Sequence, residues 1–78
     1  MTDVERRLVH CFVSVFPSLT ESIAQSAELD SVAGWDSIAG ATLLSVVCEE
    51  FDLPMDAEGT EDLLSFQAYR RWVLDRLA

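Results

Sequence analysis

The chain is 78 residues long, half of it apolar, and its 14 acidic against 5 basic residues give a formal net charge of −9. So short a chain is read as one domain over residues 1–78 that buries roughly 60% of the surface it exposes when unfolded, which leaves no room for an active-site cleft. The negative field repels phosphate backbones and anionic membranes, so nucleic acid and membrane are excluded as partners and proteins with basic patches are favoured.

Thr2-Asp3-Val4-Glu5 has the form of a capping box, and Val4, Leu8, Cys11, Phe12, Val15 and Leu19 fall on helical spacing that Pro17 interrupts. A first helix is predicted over about residues 3–16. Residues 17–35 hold a proline, a glycine and several serines but few periodic apolar positions. They read as a long loop pinned to the core by Ile23, Leu29 and Val32, and long loops in small domains tend to carry function. Asp36 then reads as the N-cap of a second helix whose first residue is Ser37. Leu44, Val47, Cys48 and Phe51 fall at i, i+3, i+4 and i+7, with Leu43 and Val46 widening the stripe, and the helix is predicted to end near Phe51. Gly40 weakens its first turns by roughly 1 kcal/mol relative to alanine, while letting another surface approach closely.

Asp52, Pro54 and Gly59 punctuate the following segment, and Thr60 to Leu64 read as one short helical turn. Ser65 caps a last helix predicted to bury Phe66, Tyr69, Val73 and Leu77 and to carry Arg70, Arg71 and Arg76 toward its C-terminal half, where the helix dipole favours cations. The fold class is therefore all-α: a small antiparallel four-helix bundle with a long first loop and a short third helix. All five basic residues are arginines near the two ends, so residues 8–69 carry 11 acids and no Lys or Arg.

Catalytic and metal chemistry find little to work with. His10 is the only histidine, so a Ser-His-Asp arrangement has one possible base, and it reads as a surface residue of the first helix. Gly34 and Gly40 each lie three residues from Ser37, whereas the nucleophile elbow needs glycines two away. A calcium loop within Asp52 to Asp62 fails in either register, with Pro54 at a ligand position or Glu61 at the required glycine. Cys11 and Cys48 have no metal-ligand spacing and read as small core residues, with no metal site and no secreted disulfide framework. With no membrane or targeting segment visible, the expected compartment is the cytoplasm.

What remains is a serine at the mouth of a helix. A hydroxyl at that point lies in the positive end of the helix dipole, where an anionic phosphodiester on its oxygen is stabilised. Gly34-Trp35-Asp36-Ser37-Ile38, in its setting, resembles the Asp-Ser-Leu attachment motif of acyl carrier proteins. Cys48 to Pro54 resembles that family's acidic helix end, buried aromatic and turn, and Leu63-Leu64-Ser65-Phe66-Gln67 resembles the opening of its last helix, so nearly the whole chain is covered.

The resemblance implies a carrier that does no chemistry of its own. A phosphopantetheinyl transferase would move 4′-phosphopantetheine from coenzyme A to Ser37, and the arm's thiol would hold an acyl or aminoacyl group as a thioester. Asp36 would order the helix start and meet the transferase, and Ile38 would be an apolar contact beside the arm. The implied partners are that transferase, an acyl- or aminoacyl-loading enzyme and downstream synthase or tailoring enzymes, around a monomeric carrier.

Two departures from fatty-acid carriers stand out. Trp35 replaces the small residue common before the Asp-Ser. The exposed face of the second helix offers Ala39, Thr42, Ser45 and Cys48, with acid only at Glu49 and Glu50. Trp35, Ala39, Thr42, Ser45 and Glu49 thus form the expected partner surface, and the resemblance points to a polyketide, nonribosomal-peptide or other specialised pathway. The alternative is a small acidic helical adaptor that binds partners without a prosthetic group.

Overall fold

The computed structural model describes residues 2–55 and 59–77. Thr2 opens the first helix, α1 (Asp3–Val15), with the reciprocal cap predicted. Its Oγ1 accepts from the Glu5 N–H at 3.2 Å, and the Glu5 carboxylate accepts from the Thr2 N–H at 2.9 Å. These bonds hold the Glu5 carboxyl below its usual range. One face of α1, carrying Leu8, Val9, Cys11 and Phe12, is buried.

The segment read as a long loop contains a further single-turn helix, α2 (Glu21–Ala24). Four residues are too few to show a period, which is why the sequence reads as loop there. The pins also differ. Val32 is buried and Leu29 half-buried, but Ile23 is 49% exposed, and Leu19, Ala24 and Ala27 fill the core in its place. One residue along a helix is a rotation of about 100°, so burying Ala24 turns Ile23 outward. The segment is then stitched to the far end of the chain: Leu29 N–H donates to Leu64 O and Phe66 N–H to Ala27 O, both at 2.9 Å.

The next helix, α3 (Ser37–Phe51), has the predicted bounds. Its buried residues are Leu43, Val47, Cys48 and Phe51, so Leu43 rather than Leu44 occupies the core and Leu44 is half-buried. Nearly every position of this helix is apolar or small, and apolar spacing alone does not choose between two adjacent leucines. Cys48 is buried, as its place on the apolar stripe predicts, so it drops out of the exposed face, and Ala39 is half-buried against the core. Asp52 ends the helix in the left-handed region (φ 56°), and the Leu53 N–H returns to Cys48 O at 2.8 Å. Asp56, Ala57 and Glu58, part of the stretch weighed as a calcium loop, lie outside the described residues.

A 3₁₀ turn at Thr60–Asp62 precedes α4 (Phe66–Leu77). The Ser65 Oγ accepts from the Ala68 N–H at 3.1 Å, the cap predicted for this helix. Phe66, Tyr69 and Val73 are buried as expected and Trp72 joins them, but Leu77 is 48% exposed. Residues 74–77 are all exposed, so the helix runs a turn past the core and its periodicity there has nothing to pack on.

The described residues thus form an all-helical domain with no strand, in which α1 packs against α2, α3 and α4. Phe12 is its hub, with ring centroids 5.2 Å from Phe66, 5.5 Å from Tyr69 and 5.7 Å from Trp35. Arg7 binds α1 to the end of α3, donating to the Glu50 carboxylate at 2.7 Å and to the Glu50 carbonyl at 2.6 Å, with its guanidinium 4.5 Å over the Phe51 ring. Since α3 has no base in its last turn, this cross-chain arginine satisfies one of its orphan carbonyls. The bond to Glu50 raises the Arg7 pKa further.

Cys11 and Cys48 are both free and buried, and burial pushes the Cys11 thiol up to about 11. Among the described residues no helix is long and apolar enough to cross a membrane, and no cluster of side chains could hold a metal ion.

Candidate functional site

The start of α3 is built by Asp36. Its backbone is extended (φ −119°, ψ −171°), and its carboxylate accepts from the Ala39 N–H at 2.8 Å while its carbonyl accepts from the Gly40 N–H at 2.8 Å. The carbonyl thereby takes the first intrahelical bond, and the carboxylate satisfies one of the orphan donors. The N–H groups of Ser37 and Ile38, which precede those of Ala39 and Gly40, have no partner within the helix. Gly34, at φ 88°, turns the chain into this cap in a conformation that favours glycine.

Ser37 is exposed, and Ile38 beside it is 79% exposed. An apolar side chain left so open beside the hydroxyl makes the tip of this helix a sticky surface. Further along the same helix Thr42, Ser45 and Glu49 are exposed, and the Thr42 hydroxyl donates back to Ile38 O at 3.2 Å. Of the uncharged exposed face expected from the sequence, Thr42 and Ser45 remain, joined by Ile38 and Ala41, with Glu49 at its end.

Trp35 lies elsewhere than expected. It is only 7% exposed, its ring edge-on to Phe12 and 5.3 Å from Phe16. The bulky residue before the Asp-Ser pair serves first as a core plug that holds the preceding loop against α1. What it still shows to solvent faces a groove of about 530 Å³ that Ser37 also lines. Leu29, Leu44, Leu63 and Leu64 supply apolar walls, and Trp35 and Tyr69 complete them. Gly40 lines the groove as well, and a methyl there would sit 3.5 Å from the Trp35 Nε1. The surface that Gly40 lets approach is thus the chain's own indole.

The volume lies within the range of small-molecule sites, which are mostly apolar with a few placed polar groups. Sequence reasoning found Ser37 and Asp36 but not this groove. Its walls come from positions 29, 35, 44, 63, 64 and 69, and no local pattern joins them. The one available signal was chemical: Trp and Tyr each carry a polar handle that a purely structural position need not have.

The site joins an exposed hydroxyl at a capped helix start to a mostly apolar groove that Asp36, Thr60 and Glu61 also line. The lone histidine, His10, lies exposed on α1, which contributes nothing to the groove. No protein-family model matches the chain, and neither a characterised protein nor a solved structure matches it.

Proposed function

We propose that the chain is a carrier protein that holds acyl or aminoacyl groups as thioesters on a 4′-phosphopantetheine arm attached to Ser37. The observation that carries this reading is the exposed Ser37 hydroxyl at the start of α3, ordered by Asp36, with a groove for a tethered chain beside it. The residues fit the group. The Ser37 oxygen is open to a transferase, the free N–H groups of Ser37 and Ile38 favour a phosphodiester on it, and the helix dipole adds to that preference. The arm would contribute a thiol for thioester formation, and this chain's residues would orient its attachment point and shelter what it bears.

In this reading the helices form an antiparallel bundle of the carrier type, and the chain is a monomeric cytoplasmic substrate of other enzymes. Its partners are a phosphopantetheinyl transferase, a loading enzyme and downstream synthase or tailoring enzymes. The exposed Ile38, Thr42 and Ser45 favour a flatter and less basic partner surface than fatty-acid enzymes would need, and hence a specialised pathway.

The test is intact-mass spectrometry after incubation with coenzyme A and a promiscuous transferase. One phosphopantetheine should be added to the wild type and none to Ser37→Ala. A wild type without the added mass, or an alanine variant that gains it equally, would refute the carrier reading and leave the adaptor without a prosthetic group.

A further inference from the structure

Leu63 lines a further cavity besides the groove that Ser37 lines. It measures about 280 Å³ and lies between the turn at residues 59–63 and α4, with Gly59, Asp62, Leu63, Ala68, Arg71 and Trp72 as its walls. Ala68, Arg71 and Trp72 fall at i, i+3 and i+4, so one flank of α4 presents a cation beside two apolar side chains. Gly59 holds φ 83°, and a methyl on it would stand 3.8 Å from Trp72 Cδ1. The glycine thus brings the turn onto the edge of the indole, whose ring the Arg76 guanidinium meets at 5.2 Å.

The two charged walls carry the argument. Each of the other arginines has a carboxylate within 4.0 Å. The Arg71 guanidinium has no ion pair or hydrogen bond among the described residues, and neither has the Asp62 carboxylate. A chain with 14 acidic residues thus leaves one cation and one anion unpaired on the walls of the same cavity, the anion from the turn and the cation from α4. A simple anion would meet Asp62 there and a simple cation would meet Arg71. A ligand bearing both charges a short distance apart satisfies both walls, and the apolar floor of Leu63, Ala68 and Trp72 suits a hydrocarbon group between them. Drug-sized sites span about 300–1,000 Å³, so the ligand is smaller than those.

We propose that this cavity binds a free α-amino acid with an apolar side chain. Its carboxylate lies on the Arg71 guanidinium, whose planar fork matches a carboxylate, its ammonium lies on the Asp62 carboxylate, and its side chain rests on Trp72, Leu63 and Ala68. The site uses neither Ser37 nor its cap, and it stands whether or not that serine bears an arm.

The experiment titrates the isotope-labelled chain with L-leucine and with two analogues that each lack one charge, isocaproate without the ammonium and isoamylamine without the carboxylate. The readout is the Trp72 indole N–H resonance, identified by its loss in Trp72→Phe and its persistence in Trp35→Phe. Leucine should shift this resonance saturably, and each analogue should bind about fivefold more weakly, the upper range for one solvent-exposed ion pair. Arg71→Gln should weaken leucine and isocaproate by the same factor and leave isoamylamine unchanged, whereas Asp62→Asn should weaken leucine and isoamylamine and leave isocaproate unchanged. A Trp72 resonance unmoved by tens of millimolar leucine overturns the inference, as does a shift that both analogues and both variants reproduce at equal strength. Addition of phosphopantetheine to Ser37 should be the same in every variant, so the carrier reading fails or stands on its own measurement.

Discussion

Replacing Gly40 by alanine tests the local geometry of the groove through stability alone. Glycine within a helix costs about 0.8–1.0 kcal/mol relative to alanine, so the substitution is favourable on propensity. Space is not the obstacle. The new methyl would lie 3.5 Å from Trp35 Nε1 and 3.9 Å from Cδ1, ordinary van der Waals contacts. The opposing effect is solvation: the methyl would stand against an indole N–H that has no protein acceptor, and displacing water from such a donor costs about 1–3 kcal/mol. The cost equals or exceeds the gain in the wild type, so Gly40→Ala alone should leave the melting temperature unchanged or lower it. In a Trp35→Phe background no donor remains to be covered, and the same substitution should stabilise by about 1 kcal/mol, a rise of about 4–8 °C for a domain of this size. Thermal melts of the four proteins give the coupling energy as a double-mutant cycle. An equal gain in both backgrounds would refute the argument, because it would show that the indole N–H does not depend on the opening beside Gly40.

Truncating Phe51 to alanine should cost about 3–5 kcal/mol, a large share of the 5–15 kcal/mol typical of a whole domain, and a urea midpoint like that of the wild type would show Phe51 to be less enclosed than its 5% exposure implies. Arg7→Lys keeps the charge but not the paired donation to the Glu50 carboxylate and carbonyl, so the melting temperature should fall, and an unchanged value would mean that the charge alone suffices. The Cys11 thiol, raised from 9.0 to about 11, should make stability depend on alkaline pH. Its folded pKa lies above its unfolded one, so the contribution is whole below about pH 9 and is lost as pH rises through about 11. Denaturant midpoints should therefore decline across that window less steeply in Cys11→Ala than in the wild type, and parallel slopes would count against the assignment.

The parts legible in the sequence are those whose physics closes within a few residues. The Thr2–Glu5 capping box, the Asp36 cap on Ala39 and the Ser65 cap on Ala68 each span three positions, and each occurs where local reasoning puts it. The phase of α3 was not legible in the same way: Leu43 and Leu44 are alike in chemistry, and only their surroundings in the fold assign one to the core and the other to the groove. The cap that Arg7 gives to α3 spans 43 residues and follows no local rule. The candidate site divides along the same line. Its hydroxyl and cap are neighbours in the chain, whereas its groove is assembled from the first loop, α3, the 3₁₀ turn and α4.

Trp35 carries the consequence of that division. A small domain has little stability to spare, and packing the indole against Phe12 and Phe16 yields more than a small residue at that position could. Phenylalanine would supply the same kind of aromatic packing without a donor in need of a partner. The same holds for Tyr69, whose ring meets Phe12 edge-on at 5.5 Å while its hydroxyl stays unpaired. Neither polar atom is sealed from solvent, and both residues line the groove that Ser37 also lines. Packing explains the two rings, and the opening to solvent at the groove lets each keep a polar atom at little cost.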